Sequence, residues 1–354
     1  MILQDQFYGV EIEFTGITRR QAAAVVADYF FTQYDHFGGS YDTYQVTDPA
    51  GRIWKLMSDA SINCQRRVNG STHSAGREYS VELVTPICEY ADIETIQSLV
   101  RGLREKGGFS NNSCGLHTHV DGLKHTPISI RNYTNIIASK NDLLYKSLGI
   151  AHERIYYCKA LDARLLKEIN SKKPQTLSQI EEIWYNGDRH NRRSHYHKSR
   201  YHFLNLHSFF NGNGTIELRG FNSTLEHAGR VKAYIQLSLA MSHQALTQKR
   251  ASPVVTVSSN EKYTFRTYLL RLGLIGDEFK TARQLLLEKL EGNIAWKNPE
   301  DALRQREARK SKKISKQNEA HSDEMTVEST EAAPVNTETI NEPEESHDLG
   351  IQMH

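Results

Sequence analysis

Seven side chains able to bind metal ions or phosphate stand out by type and spacing: Glu11 with Glu13, Glu82, His117 with His119, and Glu217 with Arg219. Four carboxylates gathered in one place cannot all stay ionised without cations, because like charges raise one another's pKa or force the site apart. A donor set rich in carboxylate oxygen, with an imidazole added, suits Mg²⁺ or Mn²⁺ better than zinc. Arg219, two residues after Glu217, could grip an oxygen of a phosphate whose metal that carboxylate holds. Taken singly, each pair has a plainer reading as the solvated face of an antiparallel strand. His-x-His alone is a weak signal, common to hydrolases and structural zinc sites. The weight lies in the recurrence of acids and histidines, with no lysine, on four such faces.

The elements that must position these residues are strands. In Thr215-Ile216-Glu217-Leu218-Arg219-Gly220, apolar and charged residues alternate with period two. The same alternation runs through Tyr8 to Phe14, Tyr79 to Val84, and Leu116 to Val120. If the four pair in one sheet, Val10, Ile12, Phe14, Leu116, Ile216 and Leu218 share its apolar face, and the seven chemical residues share the other. The turn residues Asn211-Gly212-Asn213-Gly214 predict a hairpin whose first strand is Tyr201 to His207 and whose second ends at Gly220.

The chain has 354 residues and a net charge of +2. No apolar run approaches membrane-spanning length, and the N-terminal residues do not read as a signal peptide. Cys64, Cys88, Cys114 and Cys158 lie far apart without CxxC spacing, which fits a reducing, cytoplasmic setting. The residues from Asn318 to His354 hold ten acids and no Lys or Arg, leaving a body of about +12, a charge suited to anionic ligands.

Between the strands, Thr18 to Gln21 reads as a capping box opening a helix. Residues 31–52 read as loop and hairpin, and Trp54 to Ser61 as a strand ending in a turn where Asp59 closes an Asx turn. Residues 63–78 read as a polar loop. A helix starts near Asp92, and another runs from Thr126-Pro127 to about Leu148. Arg189 to His202 interleaves basic residues with Tyr196 and Tyr201, as a phosphate-binding loop, a nucleic-acid patch or a solvated loop would. Further helices are expected over 225–246 and, in two short pieces, over 260–291. A basic helix follows at 302–317, and the acidic tail beyond it is too polar to order itself. The domain reading is a catalytic domain over 1–250, a helical extension over 251–297, and the basic helix with its tail over 298–354.

Six stretches occur in an order that resembles the amidoligase family: Phe7 to Phe14; Asp59-Ala60-Ser61; Glu82 to Pro86; Cys114 to Asp121; Arg200-Tyr201 with Asn205; and Thr215 to Arg219. Together they span roughly residues 5–245. The family belongs to the carboxylate–amine ligases sharing the glutamine synthetase and glutamate–cysteine ligase fold. The resemblance implies an α+β fold, with an antiparallel sheet curved into an active-site funnel and helices outside. It implies ATP and Mg²⁺ or Mn²⁺ as cofactors, and an acyl phosphate that an amine converts to an amide. It assigns Glu13 and Glu82 to a metal at the carboxylate. Glu11, one of His117 and His119, and Glu217 go to the metal on the nucleotide. Arg219 and Arg200 go to phosphate, and Asp59 to positioning or deprotonating the amine. The substrates implied are small-molecule, peptide or protein carboxylates and amines; an assembly of identical copies is left open.

Two rival readings use the same residues. A two-metal hydrolase or nuclease would employ the acids and histidines with water as nucleophile. A nucleic-acid-binding protein would use the basic body, but carboxylates on a sheet face repel nucleic acid unless metals intervene. Nucleic acid and membrane are therefore not expected partners.

Overall fold

The structure is a computed structural model and describes residues 2–295, 297 and 299–327. Strand β1 (Tyr8–Phe14) is followed by helix α1 (Arg19–Phe30), opened by the reciprocal Thr18/Gln21 cap. Strands β2 (Tyr34–Gly38), β3 (Thr43–Thr47) and β4 (Ile53–Met57) form a meander; β5 (Gln65–Val68) and β6 (Ser71–Ser74) pair only with each other. Then come β7 (Val81–Val84), α2 (Asp92–Glu105), β8 (Gly115–Asp121), α3 (Pro127–Ser139) and α4 (Asn141–Leu148). After α5 (Ala163–Lys172) and α6 (Leu177–Trp184), β9 (Leu204–Asn205), α7 (His207–Asn211) and β10 (Thr215–Asn222) complete the sheet. Helices α8 (Ala228–Thr247), α9 (Glu261–Arg271), α10 (Lys280–Leu287) and α11 (Pro299–Val327) follow.

Eight strands form one antiparallel sheet in the order β2-β3-β4-β7-β1-β8-β10-β9. The four strands with alternating charge are thus neighbours, β7-β1-β8-β10. On one face Val10, Ile12, Phe14, Leu116, Val120, Ile216 and Leu218 are buried to 1 % exposure or less. Helix α8 lies against it, fixed by a 2.7 Å hydrogen bond between the hydroxyls of Thr118 and Ser238; α2 and α3 pack on α8, and α1 covers β3 and β4. Each fully buried Ile, Leu or Phe contributes about 1.5–3 kcal/mol, so this face dictates the register: a slip of one residue would turn it away from the helices and set the acids against them.

Several local expectations give way to the structure. The first strand of the predicted hairpin shrinks to Leu204–Asn205, because His207 already begins α7. Gly220 does not end β10, which runs on to Asn222 through a register shift between Leu218 and Phe221. A Cβ at Gly220 would strike the ring of Phe203, so the glycine serves a close approach rather than a stop. The loop expected over 63–78 contains the β5–β6 hairpin, turned at Asn69-Gly70 with φ of 51° and 80°, as a type I′ turn requires. The single helix expected to reach Leu148 is interrupted at Lys140, whose φ of −117° separates α3 from α4. Helix α10 packs against α8 within the compact unit Met1–Pro299. A second unit covers Glu300–His354; its described part is α11, which passes the expected end at Gln317 and reaches Val327. The remainder of the acidic tail lies outside the described residues. All four cysteines are free thiols, and no described helix is long and apolar enough to cross a membrane.

Candidate functional site

Register brings the chemical residues together. In the β1–β7 ladder Glu13 is the direct partner of Glu82, in β1–β8 Glu11 partners His117, and in β10–β8 Glu217 partners His119. Side chains directly opposite one another stand close enough to interact. Asp59 comes in from outside the four strands, from the turn after β4, whose Met57 partners Glu82.

Among the described residues the donor atoms fall into three groups, each within 4.8 Å: Glu11, His119 and Glu217; Glu11, Glu82 and His117; and Glu13, Asp59 and Glu82. Glu11 joins the first two. One of its oxygens lies 2.9 Å from His117 Nδ1 and the other 3.3 Å from His119 Nε2. Asp59 also closes the expected Asx turn, accepting from the Ser61 N–H at 2.6 Å and the Ser61 hydroxyl at 2.5 Å. Both readings of Asp59 are thus compatible: Oδ1 holds the turn, and the turn places the carboxylate beside Glu13 and Glu82.

Electrostatics divide the cluster into two ends. Burial, then the negative charge of Asp59, pushes the Glu13 carboxyl up to about 8 despite the 2.5 Å hydrogen bond it accepts from Gly115 N–H. Burial, followed by the charges of Glu11, Glu13 and Asp59, holds Glu82 well above the usual carboxylate range. At the other end burial is outweighed. The charge of His119, with hydrogen bonds from both histidines, draws Glu11 well below its ordinary value. Arg219, then His119, draws Glu217 down. Burial depresses His117 to about 4, helped by Arg219, so its ring is neutral and donates Nδ1–H to Glu11. His119 is raised against burial by Glu11 and Glu217. Its Nδ1 pairs with the Thr215 hydroxyl at 3.0 Å, and its Nε2 faces the Glu11 carboxylate.

Arg219 is buried and donates to Glu217, yet its Nε has no hydrogen-bond partner. Glu217 is fixed on its second oxygen by Asn205 Nδ2 at 2.6 Å. Arg200 lies with its guanidinium 5.4 Å from the Tyr196 ring centroid, donates to the His195 carbonyl, and likewise has an unpartnered Nε. Of the basic stretch 189–202, then, Arg200 reaches the site, whereas Arg189 and Arg192 pair with Glu182 and Glu181 on α6.

Two cavities flank the cluster. One, of about 420 Å³, is mostly apolar, walled by Phe7, Tyr8, Val84, Pro86, Ile87 and Leu123, with Glu11 and His119 at its polar end. The other, of about 360 Å³, is lined by Glu13, Asp59 and His117, by Arg77, Arg154, Arg200 and Arg219, and by tyrosines including Tyr157 and Tyr196. Sequence reasoning missed two residues here. Asn205 belongs to the motif stretch that begins at Arg200, but its residue type and spacing point to no role. Arg154 had no local signal at all; it is buried and donates to the carbonyls of Arg219 and Phe221, closing the gap that the register shift leaves in β10. Its guanidinium fills the space a side chain at Gly115 would need.

Among solved structures, a bifunctional glutathione synthetase from Pasteurella multocida matches at 12 % identity and a TM-score of 0.33, over 81 % of this chain and 47 % of that one. The chain thus spans about half the length of that relative, and a likeness this distant carries no argument about activity. No curated protein matches the sequence. The family described as "Putative amidoligase enzyme" matches residues 4–242, a stretch that holds every strand of the sheet, both histidines, Asp59, Arg200 and Arg219, and by that match the chain belongs to it.

Proposed function

We propose that the protein is an ATP-dependent carboxylate–amine ligase that forms an amide through an acyl phosphate, with Mg²⁺ or Mn²⁺ bound in the sheet-face cluster and a glutamine synthetase-like curvature of the sheet. The observation that carries this reading is one carboxylate–histidine cluster with an unlike cavity on either side, apolar beside Glu11 and His119, and polar beside Glu13 and His117 with Arg219 in its lining. Such an arrangement suits a nucleotide on one side and a carboxylate acceptor on the other, with the γ-phosphate between them.

The donor set fits divalent cations. Glu13 and Glu82 are buried opposite one another with raised pKa values, a state that a cation relieves. At the other end Glu11, Glu217 and His119 form the second set; Thr215 holds His119 Nδ1, which leaves Nε2 as the ligand atom. His119 rather than His117 is therefore the histidine assigned to the nucleotide end. When bound, the cations neutralise the charge that spreads over the phosphate oxygens during transfer. Phosphoryl transfer otherwise asks the protein for position and positive charge. Arg219 supplies both: Glu217 holds one end of its guanidinium, and the unpartnered Nε is left for a phosphate oxygen. Arg200, which lines the same cavity, grips the same group. The apolar cavity beside Glu11 and His119 takes the nucleobase, and the polar cavity takes the carboxylate and amine. Asp59, turned toward Glu13 and Glu82, completes their donor set and faces the position of the incoming amine.

The rival hydrolase would use the same acids with water as nucleophile; the apolar cavity and the paired arginines are features it does not require. The deciding experiment supplies ATP, Mn²⁺ and hydroxylamine with pools of amino acids, peptides and cell-wall precursors. Hydroxamate formed in step with ADP supports the ligase and identifies the carboxylate. Hydrolysis of phosphodiesters or amides without ATP would establish the rival.

A further inference from the structure

A third cavity, of about 540 Å³, lies among the helices and shares no residue with the two at the sheet. It is bounded by the end of α3, the end of α8, the segment 251–256 and α9. No Asp or Glu lines it, while Lys140, Arg271 and Lys297 do. Neither Lys140 nor Arg271 has a carboxylate partner among the described residues. Lys140 Nζ donates to the Thr256 hydroxyl at 2.6 Å and stands 5.4 Å from the Tyr268 ring centroid. Burial and the nearby Arg271 both act against its charge. Three cationic side chains around a partly buried hollow without an anion leave an electrostatic deficit.

The polar lining shows a complementary deficit. Gln244 Oε1, Gln248 Oε1 and Tyr268 Oη are buried without a hydrogen-bond partner, and all three residues line this cavity. Tyr268 is 6 % exposed. The Gln248 amide is oriented by the bond from its Nε2 to the Arg250 carbonyl, so its oxygen is the free end. Gln244 and Gln248 are four residues apart, one helical turn, and so face the same way. Buried polar groups are nearly always satisfied, and acceptors left open call for donors from elsewhere. Thr264 and Thr267 add hydroxyls to the wall.

From these paired deficits we propose that the cavity is a second ligand site, which takes a small organic molecule bearing an anionic group and hydroxyl donors, such as a sugar phosphate or a polyhydroxy acid. The anion lies between Lys140 and Arg271, and the hydroxyls donate to Gln244, Gln248 and Tyr268. The volume exceeds what an inorganic ion needs and falls in the range of metabolite sites. The helix interruption at Lys140 is what delivers the ammonium here, since a continuous helix from Pro127 to Leu148 would carry it along a different line.

Calorimetry on the full chain tests this, with ribose 5-phosphate, gluconate, inorganic phosphate and ribose as separate probes. Ribose 5-phosphate or gluconate should bind, whichever anion the site prefers, and bind more tightly than phosphate; ribose alone should not. Arg271→Gln, at an exposed position, should weaken that binding roughly ten- to hundredfold, as loss of a charged hydrogen bond does. Lys140→Gln should act likewise, and Arg200→Gln should leave the binding intact. Absence of binding by both organic probes overturns the proposal. So does binding lost in Arg200→Gln and kept in Arg271→Gln, because the probe would then sit at the sheet. None of these readouts depends on ligase activity.

Discussion

Glu13 and Glu82 face each other directly across the β1–β7 ladder, two buried carboxylates in register. Without a cation, burial and mutual repulsion keep the pair protonated at neutral pH, and ionising both above pH 8 sets like charges against each other and weakens the sheet. At pH 9, Glu82→Gln should therefore stabilise the metal-free protein, raising Tm by about 1–2 °C in EDTA. The same substitution removes a donor, so the rise in Tm on adding Mn²⁺ should shrink. Melting curves with EDTA and with Mn²⁺ check both halves. A variant less stable in EDTA, with its Mn²⁺ response unchanged, would show that the carboxylates serve the fold and not a cation.

Arg219→Lys keeps the charge beside Glu217 and loses the planar fork. With hydroxamate formation as the assay, turnover should fall about 10²–10³-fold, the loss seen when one preorganised donor to a developing charge is removed. Tm and ATP binding should stay near the parent. Near-parental turnover would reduce Arg219 to a salt-bridge partner of Glu217.

Arg154→Ala leaves the carbonyls of Arg219 and Phe221 buried without a donor. Each orphaned group costs about 1–3 kcal/mol, so chemical denaturation should show a loss of that order or twice it. Arg154→Lys, which keeps a cation but cannot fork to both carbonyls, should recover part of it.

His125 is buried between the hydroxyls of Ser129 and Ser242, and burial pushes its imidazole down to about 4. The unfolded chain protonates this residue near its ordinary value of about 6.5. Between these values the unfolded state binds the extra proton, so stability rises with pH across that window and is lost on acidification through it. Tm measured from pH 4 to 7 should climb less steeply in His125→Asn than in the parent. Identical slopes would mean that His125 is already charged in the fold.

The chemical face of the sheet was legible because period-two alternation depends only on neighbours in sequence. Glu11, Glu13, Glu82, His117, His119, Glu217 and Arg219 all stand where that alternation places them. Asp59 was half legible: its turn could be read, but its approach to Glu13 and Glu82 depends on β4 pairing with β7. The β5–β6 hairpin carried its own signal in Asn69-Gly70, which the surrounding polar residues obscured. The interruption at Lys140 had no local marker, since neither Gly nor Pro occurs there and the apolar stripe runs on. Arg154 was invisible for a deeper reason. Its role is to repair a register shift between two other strands, and nothing near it in sequence encodes that shift.

The contact among Arg154, Gly115 and β10 also bears on protein engineering. Residues 150–198 hold none of the six motif stretches and would look like a free module for exchange between relatives to alter substrate choice. They are not free, because one arginine from this stretch sits in the notch left by the glycine that opens β8 and ties down the backbone of Arg219. A graft that omits this arginine, or brings in a bulkier residue at position 115, should disturb the arginine at the proposed reaction centre while leaving every motif intact. Crossover points for chimeras belong after the Arg154 segment, with Gly115 and β10 carried as one inherited block.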